Sequence, residues 1–144
     1  MSYPSIDPGR LLKNQVTVQS DVQKREFVIE VVEAATAVGT GDGLAYFPCP
    51  STLAGLNLTA VRGCVASAGV TGNTDVQIYN LTQTADVLST KLQFDAATTD
   101  DGNVVIDAAE DDITAGDVLR IDVDAVHSGT APNGLYITLE FTAP

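Results

Sequence analysis

The chain has 144 residues, 19 of them acidic and only 7 basic, which gives a formal net charge of −12. A chain of this length can bury about 70% of its unfolded surface, and a hydrophobic fraction of 44% excludes a wholly disordered protein. The acidic balance disfavours binding to nucleic-acid phosphates. We therefore expect no direct nucleic-acid partner. No apolar run approaches the length of a membrane span or a signal peptide, so we also expect no membrane partner and no secretion.

Residues 1–27 differ from the rest in charge and in pattern. They hold four of the seven basic residues beside three acidic ones, so this segment carries +1 and the remainder −13. Its prolines favour extended backbone, and its apolar residues are scattered. We interpret residues 1–27 as an extended N-terminal arm and residues 28–144 as the folded domain. The predicted attachment residues of the arm are Arg10, Leu11, Leu12, Lys13, Lys24 and Arg25.

After the arm, apolar residues recur with period two, which predicts half-buried β-strands. The clearest strands are residues 117–127 and 134–142, where every second residue is apolar. The other predicted strands are residues 27–34, 44–49, 56–68 with a bend near Gly63, 74–82, 87–94 and 103–108.

The segments between the predicted strands are rich in Gly, Pro, Asn and Asp, the residues that turns require. No long helical pattern interrupts them. About eight short strands separated by such turns predict an all-β protein, a single antiparallel β-sandwich. A jelly roll or another Greek key is the favoured topology.

Residues 107–125 carry seven carboxylates and one arginine. Calcium is one interpretation, because acidic turns can supply the oxygen ligands that it takes, but the spacing of a calcium loop is absent. Asp122 and Asp124 fall on the outward, hydrated face of a predicted strand. The other acids of the turn are Glu110, Asp111, Asp112 and Asp117. We expect a solvated face and turn here, with no required metal site, and nothing independent supports the paired carboxylates of a glycosidase.

Candidates for catalysis are few. His127 is the only histidine, so one chain cannot assemble a histidine metal cluster. A triad with Ser128 or Ser89 is formally available, but no nucleophile motif accompanies it, and a strand-end histidine is the simpler interpretation. The glycines of residues 39–43 lack the Lys-Ser/Thr and helix of a phosphate-binding loop, which favours a hairpin turn.

The two cysteines, Cys49 and Cys64, fit neither a disulfide-dense scaffold nor a four-ligand zinc site. Buried free thiols are one interpretation, and a single disulfide is the alternative. Two of the four tyrosines, Tyr79 and Tyr136, are predicted to face outward. They are candidate contact residues, either as aromatic platforms for a sugar or as part of a subunit interface.

Three stretches together resemble a β-sandwich module of tailed-bacteriophage virion proteins. They are GDGLAYFPCPSTLAGLNLTAVRGCV, VQIYNLTQTADVLSTKLQFDA and ITAGDVLRIDVDAVHSGTAPNGLYITLEF. The resemblance covers about residues 28–144, and its most specific pieces are Asn80 with Thr82, Leu88-Ser89-Thr90, and Gly116-Asp117. Such modules occur in capsid decoration proteins, head fibres and tail-associated adhesins. The resemblance implies a virion component and carries over no catalytic residue.

A short chain with one module and an arm favours a small subunit laid on a shell over a long fibre. We therefore expect a non-enzymatic decoration or cement protein on the capsid exterior, without a cofactor. Its expected partners are the major capsid protein and neighbouring copies, in a homo-oligomer for which family analogy favours a trimer. The alternative is a receptor- or glycan-binding module of a tail or head fibre.

Overall fold

The computed structural model describes residues 24–144. These residues form β-strands joined by turns, with one short 3-10 turn at Ser51–Leu53. The strands are β1 (Arg25–Ala37), β2 (Gly41–Pro48), β3 (Asn57–Cys64), β4 (Asn73–Asn80), β5 (Ala85–Asp86), β6 (Leu88–Thr90), β7 (Leu92–Asp95), β8 (Val105–Ile106), β9 (Val118–Ala125) and β10 (Asn133–Thr142).

The strands pair antiparallel in two main sheets and one small ribbon. Sheet A has the order β1-β10-β3, and sheet B has the order β2-β9-β4, with β5 and β7 pairing opposite ends of β4. Strands β6 and β8 form a separate two-stranded ribbon. The predicted all-β antiparallel sandwich is confirmed. The jelly roll, which has eight strands in two sheets, is not confirmed, because β8 pairs with β6 and not with a main sheet.

Alternating apolar residues from both sheets form one core. The inward residues of β10 and β9 are 0–1% exposed: Leu135, Ile137, Leu139, Phe141, Leu119, Ile121 and Val123. Three phenylalanines meet where the sheets face each other, with ring centroids of Phe27 and Phe47 5.0 Å apart and Phe141 6.0 and 6.1 Å from them. Aromatic pairs at these distances add stability beyond their buried area.

Three predicted strands are shorter than their patterns indicate or are divided. Residues 87–94 are divided, because the chain leaves β4, pairs with β8 through Leu88 and Thr90, and returns to β4 at Leu92. Residues 103–108 keep only the two-residue β8. The strand predicted for residues 56–68 ends at Cys64, and its register on β10 shifts at Thr59.

Candidate interaction surface

The outer face of sheet B carries a cross-strand row of four residues. Tyr46 on β2 lies opposite Arg120 on β9, Arg120 lies opposite Tyr79 on β4, and Tyr79 lies opposite Asp86 on β5. Residues directly opposite in antiparallel strands point to the same face. Tyr46 is 57% exposed, although its side chain is large and apolar over most of its length. We call Tyr46, Arg120 and Tyr79 the tyrosine–arginine row.

Arg120 is held in one position on this face. Its Nε donates to Asp122 Oδ1 at 2.7 Å and its Nη2 to Asp122 Oδ2 at 2.6 Å, while its guanidinium carbon lies 4.6 Å from the centroid of the Tyr79 ring. Asp42 Oδ2 is a further 3.6 Å ion-pair contact. The hydrogen bond to Asp122 is the main reason that the pKa of Arg120 is raised. Because Asp122 accepts from two nitrogens of Arg120 and the Tyr79 ring stacks on its guanidinium, Arg120 has little conformational freedom left to lose when a partner binds.

A β-bulge at the start of β2 shapes the edge of the row. The register shifts between Gly41 and Ala45, and Gly43 adopts a φ of +72°, a conformation that favours glycine. The amide of Gly43 donates to Asp122 Oδ1 at 2.7 Å. The ring of Tyr46 lies against Gly43, where a Cβ would overlap the Tyr46 hydroxyl. The bulge therefore has two effects: the Gly43 amide anchors the Asp122 carboxylate, and the space at Gly43 admits the Tyr46 ring.

Two of the acids predicted to be hydrated are buried, which corrects the prediction of a solvated face and turn. Asp122 is 4% exposed because Arg120 and Gly43 occupy its oxygens, and Asp117 is 0% exposed. Asp124 is exposed and pairs with Lys91 at 2.8 Å. Asp111 accepts from Asn57 Nδ2 at 3.0 Å, and Glu110 is half-buried while Asp112 is exposed. Within residues 24–144 no group of three His, Cys, Asp or Glu side chains is placed to hold a metal ion.

Asp117 closes the turns at one end of sheet B. Its carboxylate accepts four hydrogen bonds: two from Thr114 (amide 3.0 Å, hydroxyl 2.7 Å), one from Asn80 (3.0 Å) and one from Gln83 (2.6 Å). Burial raises the pKa of Asp117, but the four bonds together outweigh it, so the pKa lies below its usual value. Thr82 joins the same cluster by accepting from the amide of Val118 at 3.1 Å. The structure thus brings the motif pieces Asn80, Thr82 and Asp117 together as a turn-stabilising network.

The structure does not bring the candidate triad residues together. His127 lies directly after β9, is 4% exposed, and shares a 2.9 Å hydrogen bond with Thr74 through Nδ1. Ser128 donates to the carbonyl of Thr71 and Ser89 to that of Val105. Within the described residues Nε2 of His127 is buried without a partner, and the ring packs against Gly69.

Both cysteines are free, in agreement with the first interpretation, but only Cys49 is buried. Burial, aided by the charge of Asp117, raises the pKa of the Cys49 thiol to about 12. Cys64 is exposed on β3, where the predicted burial is wrong, because it sits on the outer face of sheet A beside Tyr136.

The predicted contact residues lie on opposite faces of the sandwich. Tyr79 is half-buried beneath Arg120 on sheet B. Tyr136 is half-buried on sheet A between Glu30 and Cys64, and its pKa is raised by burial and by Glu30. Tyr46 is the functional candidate that sequence reasoning missed. The alternation of Leu44 and Tyr46 with inward residues at 45 and 47 was the signal that could have found it.

Of the predicted arm residues, Arg10, Leu11, Leu12 and Lys13 lie outside the described residues. Lys24 pairs with Glu26 at 3.4 Å and with Glu140 at 3.1 Å. Arg25 is the first residue of β1, opposite Phe141 on β10. The described chain therefore begins at β1, an outer strand of sheet A, and the Lys24 side chain reaches across to Glu140 on β10.

No helix within residues 24–144 has the length and apolar character to cross a membrane. Comparisons of the chain with protein-family models, with curated proteins and with solved structures found no match.

Proposed function

We propose that the protein is a non-enzymatic structural component of a tailed-phage virion, a decoration protein that binds the outside of the capsid shell and bridges neighbouring capsomers. The tyrosine–arginine row is the observation that carries the proposal. Tyrosine and arginine are enriched among residues that dominate protein–protein binding energies, and here they stand on a rigid sheet with the arginine already oriented. The sequence resemblance to modules of phage virion proteins is our reason for naming the capsid shell as the partner.

In this proposal the sandwich uses two separate surfaces. The outer face of sheet B contacts the major capsid protein through Tyr46 and Arg120. The arm, which enters on sheet A at Lys24, reaches the shell or a neighbouring copy through residues 10–13. Copies assemble as a trimer on the shell. The net charge of −12 keeps the sandwich from binding packaged DNA directly.

The alternative function is a receptor- or glycan-binding module of a tail or head fibre, and one observation favours it. Tyr46 presents an exposed ring opposite Arg120, and Arg120 also contacts the carboxylate of Asp42, whose side chain is 71% exposed. An aromatic platform beside a hydrogen-bonding carboxylate suits a sugar ring, which has both apolar and polar faces. Copy number separates the two functions: hundreds per virion for a decoration protein, and tens or fewer for a fibre.

Tyr46→Ala tests the proposal directly. We expect it to weaken binding to capsid shells that lack the protein by about 2 kcal/mol, or roughly thirtyfold, measured as bound copies after co-sedimentation. Val28→Ala is the matched control, because Val28 is 72% exposed on the other sheet, and it should bind as the unmodified protein does. Unchanged shell binding by Tyr46→Ala, with lost binding to a glycan array, would support the alternative instead.

A further inference from the structure

The chain makes a detour between its two contacts with β4. Residues 85–86 pair with one end of β4 and residues 92–95 with the other, while β6, between them, pairs with β8. Gln77 in the middle of β4 holds the start of this detour. Its Nε2 donates to the carbonyl of Leu88 at 3.0 Å, and its Oε1 accepts from the amide of Leu88 at 3.1 Å. After Leu88, residues 89–91 make no ladder pairs with β4 in the described structure.

The detour leaves a polar cavity beside β4 and β7. Its volume is about 440 Å³, within the range of roughly 300–1,000 Å³ that small-ligand sites span. The segment after Thr99 closes another side, because the amide of Gly102 donates to the carbonyl of Gln93 at 2.6 Å. Small-ligand sites are usually lined by apolar side chains, whereas every residue that lines this cavity is polar, so the lining favours a polar ligand. The lining residues are Asp75, Ser89, Thr90, Lys91, Gln93 and Asn103.

Asp75 in this cavity is fixed in position and keeps one oxygen free. Its Oδ1 accepts from Asn73 Nδ2 at 2.6 Å and from Gln93 Nε2 at 2.9 Å, whereas its Oδ2 accepts no hydrogen bond within the described residues. Gln93 lies opposite Asp75 in the register of β7 on β4, and in the same part of the chain its Oε1 also accepts none. Acceptors that are already oriented lose little freedom when a ligand binds, so Asp75 and Gln93 are prepared to accept from a ligand.

The charges around the cavity favour a neutral ligand. Lys91 Nζ pairs with Asp124 Oδ2 at 2.8 Å, and this contact is the main reason that the pKa of Lys91 is raised, with smaller contributions from Asp75 and Asp86. An anion such as phosphate would therefore meet the carboxylates of Asp75 and Asp124. A cation would meet the ammonium of Lys91. Like charges repel at such short range, which disfavours both kinds of ligand.

We infer that this cavity binds a neutral saccharide unit. A sugar hydroxyl both donates and accepts hydrogen bonds, as the hydroxyls of Ser and Thr do. Asp75 Oδ2 and Gln93 Oε1 accept from the sugar hydroxyls, and Lys91 and the side-chain amide of Asn103 donate to them. The inference goes beyond the proposed function and is independent of it, because a saccharide can bind the isolated protein whether or not the protein attaches to a capsid.

An array of neutral, sialylated and sulfated glycans, probed with the full-length protein, tests the class of ligand. NMR titration with the neutral glycan that binds best then locates the site. We expect at least one neutral glycan to bind and to shift the amide signals of Asp75, Lys91 and Gln93. The inference would be overturned if no neutral glycan binds, or if the signals that shift lie around Tyr46 instead of the cavity.

Asp75→Asn tests the role of the free oxygen. The Oδ1 of an asparagine can still accept from Asn73 and Gln93, but a donor replaces the free acceptor Oδ2. We expect the affinity for the bound neutral glycan to fall at least about tenfold, measured by the same titration. Asp86→Asn is the matched control, since it removes the same charge from an exposed residue outside the cavity, and it should bind as the unmodified protein does. Equal affinities of the two variants would overturn the inference.

Thr90→Ala provides a second variant that leaves the fold intact. Thr90 is exposed, and its hydroxyl makes no hydrogen bond within the described part of the chain, so its loss removes only a group that faces solvent or ligand. We expect the affinity for the neutral glycan to fall about threefold or more. Tyr46→Ala should bind the glycan unchanged, because Tyr79, in the same cross-strand row, is four residues or about 13 Å along β4 from Asp75. A loss in Tyr46→Ala with none in Thr90→Ala would contradict the assigned site.

Discussion

Asp117 shows how one buried carboxylate can hold several turns together. Replacing it with Asn puts an amide where Asn80, Gln83 and Thr114 all donate, so we expect Asp117→Asn to lower the free energy of unfolding by about 3 kcal/mol at pH 7. Because the pKa of Asp117 is lowered in the fold, its contribution is fully present above its ordinary value of 3.8 and is lost as pH falls through the lower folded pKa.

Urea unfolding at pH 7, 5 and 3 measures this effect. The difference in stability between the unmodified protein and Asp117→Asn should stay constant from pH 7 to 5 and shrink towards pH 3. Asp95→Asn is the matched control, since Asp95 is exposed, and it should change stability by no more than about 0.5 kcal/mol. A difference that is the same at all three pH values would contradict the assigned role of Asp117.

At the scale of elements, Gly63 on β3 lies tightly packed against side chains of β7 and β10. A Cβ at this position would lie 2.8 Å from Leu92, 2.9 Å from Phe94 and 3.0 Å from Ile137. We therefore expect Gly63→Ala to destabilise the fold by about 1–3 kcal/mol through overpacking, measured by thermal or urea unfolding. Gly39→Ala is the control, because a Cβ there meets no atom within 4 Å. A Gly63→Ala protein as stable as the control would show that the sheets can separate without cost.

At the scale of the whole molecule, we expect folding and attachment to the shell to depend on different residues. Residues 1–13 lack the apolar alternation of the folded domain, so we expect their deletion to leave the melting temperature nearly unchanged while weakening binding to capsid shells. Exposed charges are screened by salt. The contribution of Arg10 and Lys13 should therefore fade at high salt, while that of Leu11 and Leu12 persists.

These contributions can be separated by counting bound copies on shells at low and high salt. The proteins to compare are the full chain, the Arg10→Ala/Lys13→Ala variant and the Leu11→Ala/Leu12→Ala variant. If the shortened chain binds as tightly as the full one, attachment belongs to the sandwich alone.

Light scattering on the purified protein tests the expected trimer. A reconstruction showing isolated single copies on the shell would contradict it.

The sequence by itself determined the fold class and most of the core. Period-two alternation is a local property of strands, so the inward residues of β9 and β10, such as Ile121 and Ile137, could be identified without knowing their neighbours. The same alternation found Tyr79 and Tyr136 as outward residues. It could not predict that residues 87–94 divide between two partners, because the choice of pairing depends on contacts with strands elsewhere in the chain.

Only the tertiary structure decided which polar residues are buried and which surfaces form. Gly43 and Asp122 are 79 residues apart in sequence, and the register of β2 on β9 brings them together with Arg120 and Tyr46. Asp122 looked like a hydrated strand residue because one of the two groups that occupy its oxygens, the Gly43 amide, lies on another strand. Burial of a charge depends on strand register, which local sequence patterns do not specify.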